Sequence, residues 1–542
     1  DETAVEKVDI PVRPPATLQF VSGSGSAKAG QPAAFVVPGD WVKGTARYWL
    51  SLSPLPTLKL GASLRYLLHY PYGCLEQTTS TAFPLLYLGD VAKVAEPELE
   101  GKEIEPLVQA GIDRVLSMQA WRGGFGFWPG YGHPYPWGSV YATHFLLEAG
   151  KAGYDVPKDN LEAALGYLGS LLNEEEDDDA PPTVKAYACL VLAAAGKPNR
   201  SWTLRLLETK DELPAYSRFQ LAAALATMKE DKLANTLLAG ATLPPTAKAR
   251  DTGGVLHSSA REAAILLATY LDLGLDHPNV PLLVQRLADT MQEGRWATTQ
   301  ENAFGLMAMG KYARRLGSEP SDFKAQVTAA GESLASLTSK DSVLLKPPDL
   351  GGKEVQAAVE GTGTLYYYWG AEGIPTKQPA IERDTSLKAR RRFLTRDGAE
   401  LDPSSIRHGE IVVVELTLDN GVPVKNLVVN DLLPAGFEIE NPRLATSATA
   451  TVEEADVTPE TRNPAPGTPI RLLNPDRVEM RDDRLILFAD LNASARWSYR
   501  YVVRAVTPGR FKLPALDAFC MYNPEICSVH GAGTVEILGR QP

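Results

Sequence analysis

The chain has 542 residues, with 54 Lys and Arg against 66 Asp and Glu, a formal net charge of −12 and a mean hydropathy of −0.16. That length exceeds one hydrophobic core and predicts about three or four domains. The acidic balance argues against nucleic acid or an anionic membrane as the main partner, and no apolar run approaches the roughly 18 residues of a membrane span.

The chain begins Asp1-Glu2-Thr3-Ala4-Val5-Glu6-Lys7, which has neither the basic-apolar pattern nor the cleavage site of an export signal. It is expected to be a piece of a longer polypeptide. Residues 1–55 are rich in Pro, Gly and Ser, with short apolar runs such as 33–37 and 46–50 that read as strands. Helical texture follows. Leu107, Val108, Ile112, Val115 and Leu116 keep a 3.6-residue period, and Ala- and Leu-rich helices are predicted at 138–152, 160–173, 182–196, 214–229, 259–275, 280–292 and 298–316. Repeated helix-turn-helix units of this length stack around one core, as a closed ring or an open solenoid. The loop Gly123-Gly124-Phe125-Gly126-Phe127-Trp128-Pro129-Gly130, of a kind seen in α/α-toroid proteins, and the similar opening Gly294-Arg295-Trp296 favour the ring.

From about Asp341 the chain returns to strands, with 361–369 the clearest, and 373–379 reads as a linker. The remainder is all β: 411–418, 427–431, 484–488 and 497–504 suggest a sandwich, with a long mobile loop at 452–469. The basic cluster at 388–392 reads as a strand with solvated charges on one face. Cysteines stand at 74, 189, 520 and 527; no pair has zinc-ligand spacing with histidine partners, so neither a metal nor a cofactor is expected. Cys520 and Cys527 could bridge across a short loop in an oxidising compartment.

Residues 70–77 carry the chemistry: Tyr70-Pro71-Tyr72-Gly73-Cys74-Leu75-Glu76-Gln77. Side chains at i and i+3 are neighbours in one turn, so the Cys74 sulfur can reach the Gln77 carbonyl, and attack with loss of ammonia gives an internal thioester. The alternative is a free cysteine packed as a small hydrophobe. Thr78, Thr79 and Ser80 read as start signals for a helix just beyond Gln77, whose N-terminal dipole would stabilise a thiolate or an oxyanion. Glu76 is either an acid-base group or a carboxylate suited to that dipole.

The eight residues together resemble the thioester signature of the α2-macroglobulin and complement family, in its bacterial form. The order of elements is similar too, and Leu433-Pro434-Ala435-Gly436-Phe437-Glu438, Arg481-Asp482-Asp483-Arg484 and Met521-Tyr522-Asn523-Pro524 look like motifs of that family's last domain. The resemblance implies a multidomain α+β chain: an α/α-toroid thioester domain at 56–318 inserted in a CUB-like β domain at 1–55 and 319–379. A C-terminal macroglobulin or receptor-binding-like β-sandwich would follow at 380–542.

It also implies function. Such proteins trap proteases: cleavage of a bait region, none of which is identifiable among these residues, lifts a shield, and the thioester couples to a protease lysine in a single turnover, making the protein an inhibitor more than an enzyme. By position the shield resembles Tyr70 and Met521, with Tyr72, Tyr522, Glu76 and His69 as possible supporting residues. Upstream macroglobulin domains would be partners, as would a peptidoglycan-synthesis protein, and the location would be periplasmic or cell-surface, with a lipid anchor on the full-length protein. Complement-like relatives pass the acyl group to a histidine, but none stands between His144 and His257, so direct attack by amines is expected. His144 reads as an interior residue and His69 as a polar residue at a helix end. Two other readings stay open: an adhesive module anchored by its thioester, and an α/α-toroid glycan-processing enzyme.

Overall fold

Strands that lie before and after a long helical stretch pair with each other. The computed structural model describes residues 18–99, 103–173, 180–239, 250–316, 321–376, 382–440 and 470–539. The acidic run at 174–179, the 452–469 loop and part of the 373–379 linker lie outside them. The chain divides into two compact units, one from Phe20 to Gly373 and one built mainly from Ile374 onward.

In the first unit, β1 (Gln19–Lys28), β2 (Ala33–Val36) and β3 (Arg47–Ser53) precede the helices, and β4 (Asp322–Ala329), β5 (Glu332–Thr338), β6 (Val343–Leu345), β7 (Glu354–Thr362) and β8 (Thr364–Gly373) follow them. They form two sheets of order β1-β8-β3-β6 and β2-β7-β4-β5. Leu50 and Leu52 of β3 and Leu365 and Tyr367 of β8 face Val327 and Val355 of the other sheet. The alternate residues Trp49 and Tyr368 face Leu58, Ala62 and Ala95 on the helical side. A strand covered on both faces has no need of polar alternation, which is why Leu365-Tyr366-Tyr367-Tyr368-Trp369 reads as a continuous apolar run. The strand expected at 361–369 is in fact two, because Gly361 and Gly363 adopt φ of +100° and +116° and turn the chain between β7 and β8.

The helices are α1 (Gly61–Leu68), α2 (Leu75–Ala82), α3 (Leu85–Ala95), α4 (Glu105–Leu116), α5 (Pro136–Lys151), α6 (Lys158–Asn173), α7 (Pro182–Ala194), α8 (Arg200–Glu208), α9 (Ala215–Thr227), α10 (Asp231–Leu238), α11 (Ser259–Asp272), α12 (Asn279–Thr290) and α13 (Thr299–Leu316). Their contacts run in a cycle: α2 touches α5, then α7, α9, α11 and α13 follow in turn, and α13 returns to α2. Short side chains such as Ala142, Ala186, Ala188, Ala222 and Ala263, all buried, let these helices approach closely. Others pack outside, α6 on α5 and α7, α10 on α9, and α12 on α11. Among the described residues no helix is long and apolar enough to cross a membrane.

Among the described residues the second unit has three sheets, the largest two packed around one core that includes Val414, Leu416, Val429, Leu487 and Val503. Ile411–Asn420 lies between Leu387–Leu394 and Ala495–Ala505, antiparallel to both. The basic cluster is not simply solvated. Arg391 is buried, ion-paired to the fully buried Asp431, which also accepts the Tyr501 hydroxyl at 2.6 Å, while Arg392 and Arg500 share Glu415. The side-chain bridge between Cys520 and Cys527 is not formed, and both are free thiols. Phe519 stands opposite Cys527, whereas Cys520 stands opposite Asn523. Side chains alternate, so the two sulfurs leave their sheet on opposite faces.

Arg391→Ala strands the Asp431 carboxylate without its cation and is expected to lower the stability of the second unit by about 3–5 kcal/mol in urea unfolding. Arg390→Ala, which breaks the partly exposed pair with Asp384, is expected to cost about 1 kcal/mol or less.

Candidate acyl-transfer site

The chain enters the site from α1, whose end is fixed by charge. Arg65 donates to Glu96 at 2.7 and 2.6 Å and to Glu372 of β8 at 2.6 Å, and its guanidinium lies 4.5 Å from the Trp49 ring centroid. His69, the C-cap of α1, also reaches Glu96 at 3.2 Å. Burial alone would raise the Glu96 pKa; the His69 and Arg65 contacts hold it below the ordinary glutamate value instead.

α2 begins at Leu75, earlier than expected: its N-cap is Cys74 itself, in an extended conformation. The usual capping box pairs Ser or Thr with Glu or Gln three residues on. Here the N-cap is cysteine. The Cys74 sulfur accepts the Gln77 backbone N–H, and the Gln77 side-chain carbonyl accepts the Cys74 N–H at 3.1 Å. Both side chains are therefore folded onto one turn. Cys74, Leu75, Glu76 and Gln77 are all 1% exposed or less, so these N–H groups have little water to turn to.

The remaining contacts come from the aromatic loop. Gly123 takes φ of +88°, and a Cβ there would lie 2.3 Å from the Ala163 carbonyl oxygen, so the bend requires glycine. Gly126 N–H donates to Met118 O, and the loop lays the Phe127 carbonyl on the Leu75 N–H at 3.0 Å. Phe127 packs edge-on against Trp128 and Tyr135, and on the other side Tyr70 packs edge-on between Tyr66 and Tyr72. Burial pushes the phenols of Tyr70 and Tyr135 well up, and the nearby acidic groups Glu76 and Cys74 push them further, so both stay neutral.

Glu76 is fully buried. It accepts from Ser80 at 2.5 Å and from Thr299, the first residue of α13, at 3.0 and 2.7 Å. Thr299 belongs to a polar run that sequence reasoning missed: Thr298, Thr299, Gln300, Glu301 and Asn302 are each 2% exposed or less. Gln300 donates to Leu256 O and accepts from Arg261, Glu301 pairs with Arg250 and takes the Ala297 N–H, and Asn302 clasps Trp296. The signal was there. Five consecutive polar residues opening a helix are more than caps require.

Comparison with known proteins follows the same geography. Residues 387–525 match the family described as Bacterial Alpha-2-macroglobulin MG10 domain. The chain is 29% identical to alpha-2-macroglobulin of Escherichia coli K12 over 534 residues, 95% of this chain and 31% of that protein. It is 27% identical to that of Xylella fastidiosa Temecula1 over 518 residues, 90% of this chain and 30% of that one. The crystal structure of native E. coli alpha-2-macroglobulin from domain MG7 to the C-terminus superimposes with a TM-score of 0.78 at 26% identity, covering 97% of this chain and 83% of the other. Over nearly its whole length the chain is similar to bacterial alpha-2-macroglobulins. A second family structure, Salmonella alpha-2-macroglobulin reacted with methylamine, gives a TM-score of 0.77 at 27% identity, covering 98% of this chain and 34% of that one. The chain spans about a third of the length of the curated family members it matches.

Of the residues that the alpha-2-macroglobulin resemblance singled out, Cys74, Gln77, Glu76, Tyr70 and Tyr72 gather at the start of α2. His69 turns to Glu96. Met521 and Tyr522 lie in the second unit just after the strand Leu516–Cys520, where the Met521 N–H donates to Asn426 O. His144 is inside α5, its Nδ1 2.8 Å from the Tyr187 hydroxyl, and burial pushes its pKa down to about 4.

The unfolded chain takes up a proton at His144 near pH 6.5 and the folded chain only near pH 4, so folding stability falls as pH drops through that window. His144→Gln is expected to lose about 1–3 kcal/mol less than the parent between pH 7 and pH 4, read from paired urea titrations.

Proposed function

We propose that this chain is the thioester-bearing part of a protease-trapping protein of the alpha-2-macroglobulin type. The observation that carries the reading is the reciprocal pair of hydrogen bonds between Cys74 and Gln77. It folds both side chains onto one turn, polarises the Gln77 carbonyl through the Cys74 N–H, and offers the Gln77 N–H to the sulfur as it gains charge. In forming the bond, sulfur adds to the Gln77 side-chain carbonyl, the C–N bond breaks, and the thiol proton leaves with nitrogen as ammonia. In capture, an amine nitrogen adds to the same carbon, the C–S bond breaks, and the amine's proton passes to the Cys74 thiolate.

The acceptor class follows from what surrounds the bond. His144 is bound to Tyr187 and desolvated, which suits an interior role and not an acyl relay, so amines attack directly. The Salmonella relative reacted with methylamine supports that acceptor. Thioesters last only where water is excluded. Tyr70, packed between Tyr66 and Tyr72, supplies one apolar cover; a shielding role for Met521 rests on the family resemblance alone. The cycle of six helices is read as the α/α toroid of the thioester domain, and the two four-stranded sheets as the CUB-like domain that it interrupts. A bait region and further macroglobulin domains would belong to the rest of the polypeptide, the captured nucleophile would be a protease lysine, and the location periplasmic or at the cell surface. A peptidoglycan-synthesis partner rests on the family resemblance alone. No observation among the described residues favours the adhesive or glycan-processing readings.

Intact mass of the native protein is expected to fall short of the calculated value by one ammonia. Methylamine is expected to add at Gln77 and release one thiol at Cys74, and Cys74→Ser to abolish both effects. A full calculated mass in fresh protein, with Cys74 titrating as free, would exclude the bond. Tyr70→Ala and Met521→Ala are each expected to shorten the lifetime of the bond in amine-free buffer.

A further inference from the structure

The residue next to the acyl donor is a buried carboxylate, and that is a hazard for an activated acyl group. Glu76 precedes Gln77 on the first turn of α2 and is fully buried. Neighbouring positions on a helix do not face each other, but a carboxylate on that turn, once released to swing toward the acyl carbon, can take a proton from water as the water oxygen adds there and the C–S bond breaks, leaving Gln77 as glutamate and Cys74 as thiol. Its position and basicity therefore matter to how long the bond survives.

The structure constrains both. Oε1 accepts from Ser80 and Thr299, and Oε2 accepts from Thr299 at 2.7 Å. Ser80 lies one turn along the same helix and moves with Glu76. Thr299 does not: it stands 223 positions away, on the helix that closes the cycle against α2. Its neighbours are pinned in turn. Thr298 caps the Glu301 N–H at 3.3 Å, Gln300 meets Arg261 at 2.8 Å, and Glu301 meets Arg250 at 2.8 Å. A hydroxyl held this way is pre-set toward Glu76, and hydrogen bonds to a carboxylate lower its basicity and fix its lone pairs.

We infer that Thr299 is a positioning residue for the acyl site: by holding the Glu76 carboxylate against α13, it keeps that carboxylate from serving as the base for hydrolysis of the neighbouring thioester. The inference rests on the thioester reading above. It assigns the ring-closing contact a task in preserving the bond, beyond holding two helices together.

The test uses the full polypeptide that carries this chain. Spontaneous loss of the bond is followed in amine-free buffer by the gain of one water in intact mass and the appearance of the Cys74 thiol, with circular dichroism and melting as controls on folding. Thr299→Val, which keeps the shape and removes the hydroxyl, is expected to shorten the half-life by about tenfold, less than the ~10² or more of a fully positioned general base. Thr299→Ser is expected to behave as the parent, and Thr299→Val with Glu76→Gln to return toward the parent rate. Should Thr299→Val fail to fold, Thr299→Ala carries the same expectation. A parent-like half-life in the folded hydroxyl-deleted variant overturns the inference, as does fast hydrolysis that persists when Glu76 is replaced. A parent without the ammonia deficit overturns the thioester reading and this inference together, whereas an intact bond indifferent to Thr299 overturns this one alone.

Discussion

A helix that begins inside a protein must find partners for its first N–H groups, and here that requirement fixes the site. At the start of α2 water is nearly absent, so the Cys74 and Gln77 side chains and the Phe127 carbonyl satisfy those groups. The geometry proposed to be reactive is also the capping geometry. Cysteine is an unusual N-cap, because sulfur is a weak acceptor compared with a hydroxyl oxygen. Its place there is better explained by chemistry than by helix stability, and the cost is carried by the surroundings.

Those surroundings are polar where a core would ordinarily be apolar. Glu76, Ser80, Thr299, Gln300, Arg261 and Glu301 lie buried where α13 returns to α2, and Thr299, Gln300 and Glu301 engage side chains from other segments, Glu76, Arg261 and Arg250 in turn. Fully connected networks of this kind fix one arrangement, since displacing any member strands its partners at low dielectric. Arg65 does the same for the end of α1, joining Glu96, Glu372 and Trp49. The turn carrying Cys74 is thus held from before by an ion pair and from the side by hydroxyls.

Much of this was legible in the sequence, and the remainder was not for identifiable reasons. The long helices announced themselves by Ala- and Leu-rich 3.6-residue periods, and Cys74 with Gln77 by a spacing with chemical use. The eight- and nine-residue helices α10 and α8 escaped notice because an element of only about two turns carries little signal however amphipathic it is. The start of α2 was placed too late because Thr78, Thr79 and Ser80 are commoner caps than cysteine. At 361–369 the apolar run concealed a hairpin, although its glycines marked the turn. Partners far apart in sequence were illegible: nothing local ties Thr299 to Glu76, or Arg391 to Asp431. The run at 298–302 was visible as a polar stretch, but its purpose depends on what it touches.

The pairing of β3 with β8 brings Leu50 opposite Trp369, more than 300 residues later. During synthesis β3 leaves the ribosome with its hydrophobic faces bare, and every helix of the cycle emerges before its partner strand does. Non-local pairing of this kind forms late and slowly. The helical body must therefore reach a compact state while β1 to β3 wait unpaired, and the sandwich closes around its two ends afterwards. Exposed strand edges in that interval invite mispairing. In the inserted architecture the β domain can be completed only after every helix of the cycle has been synthesised.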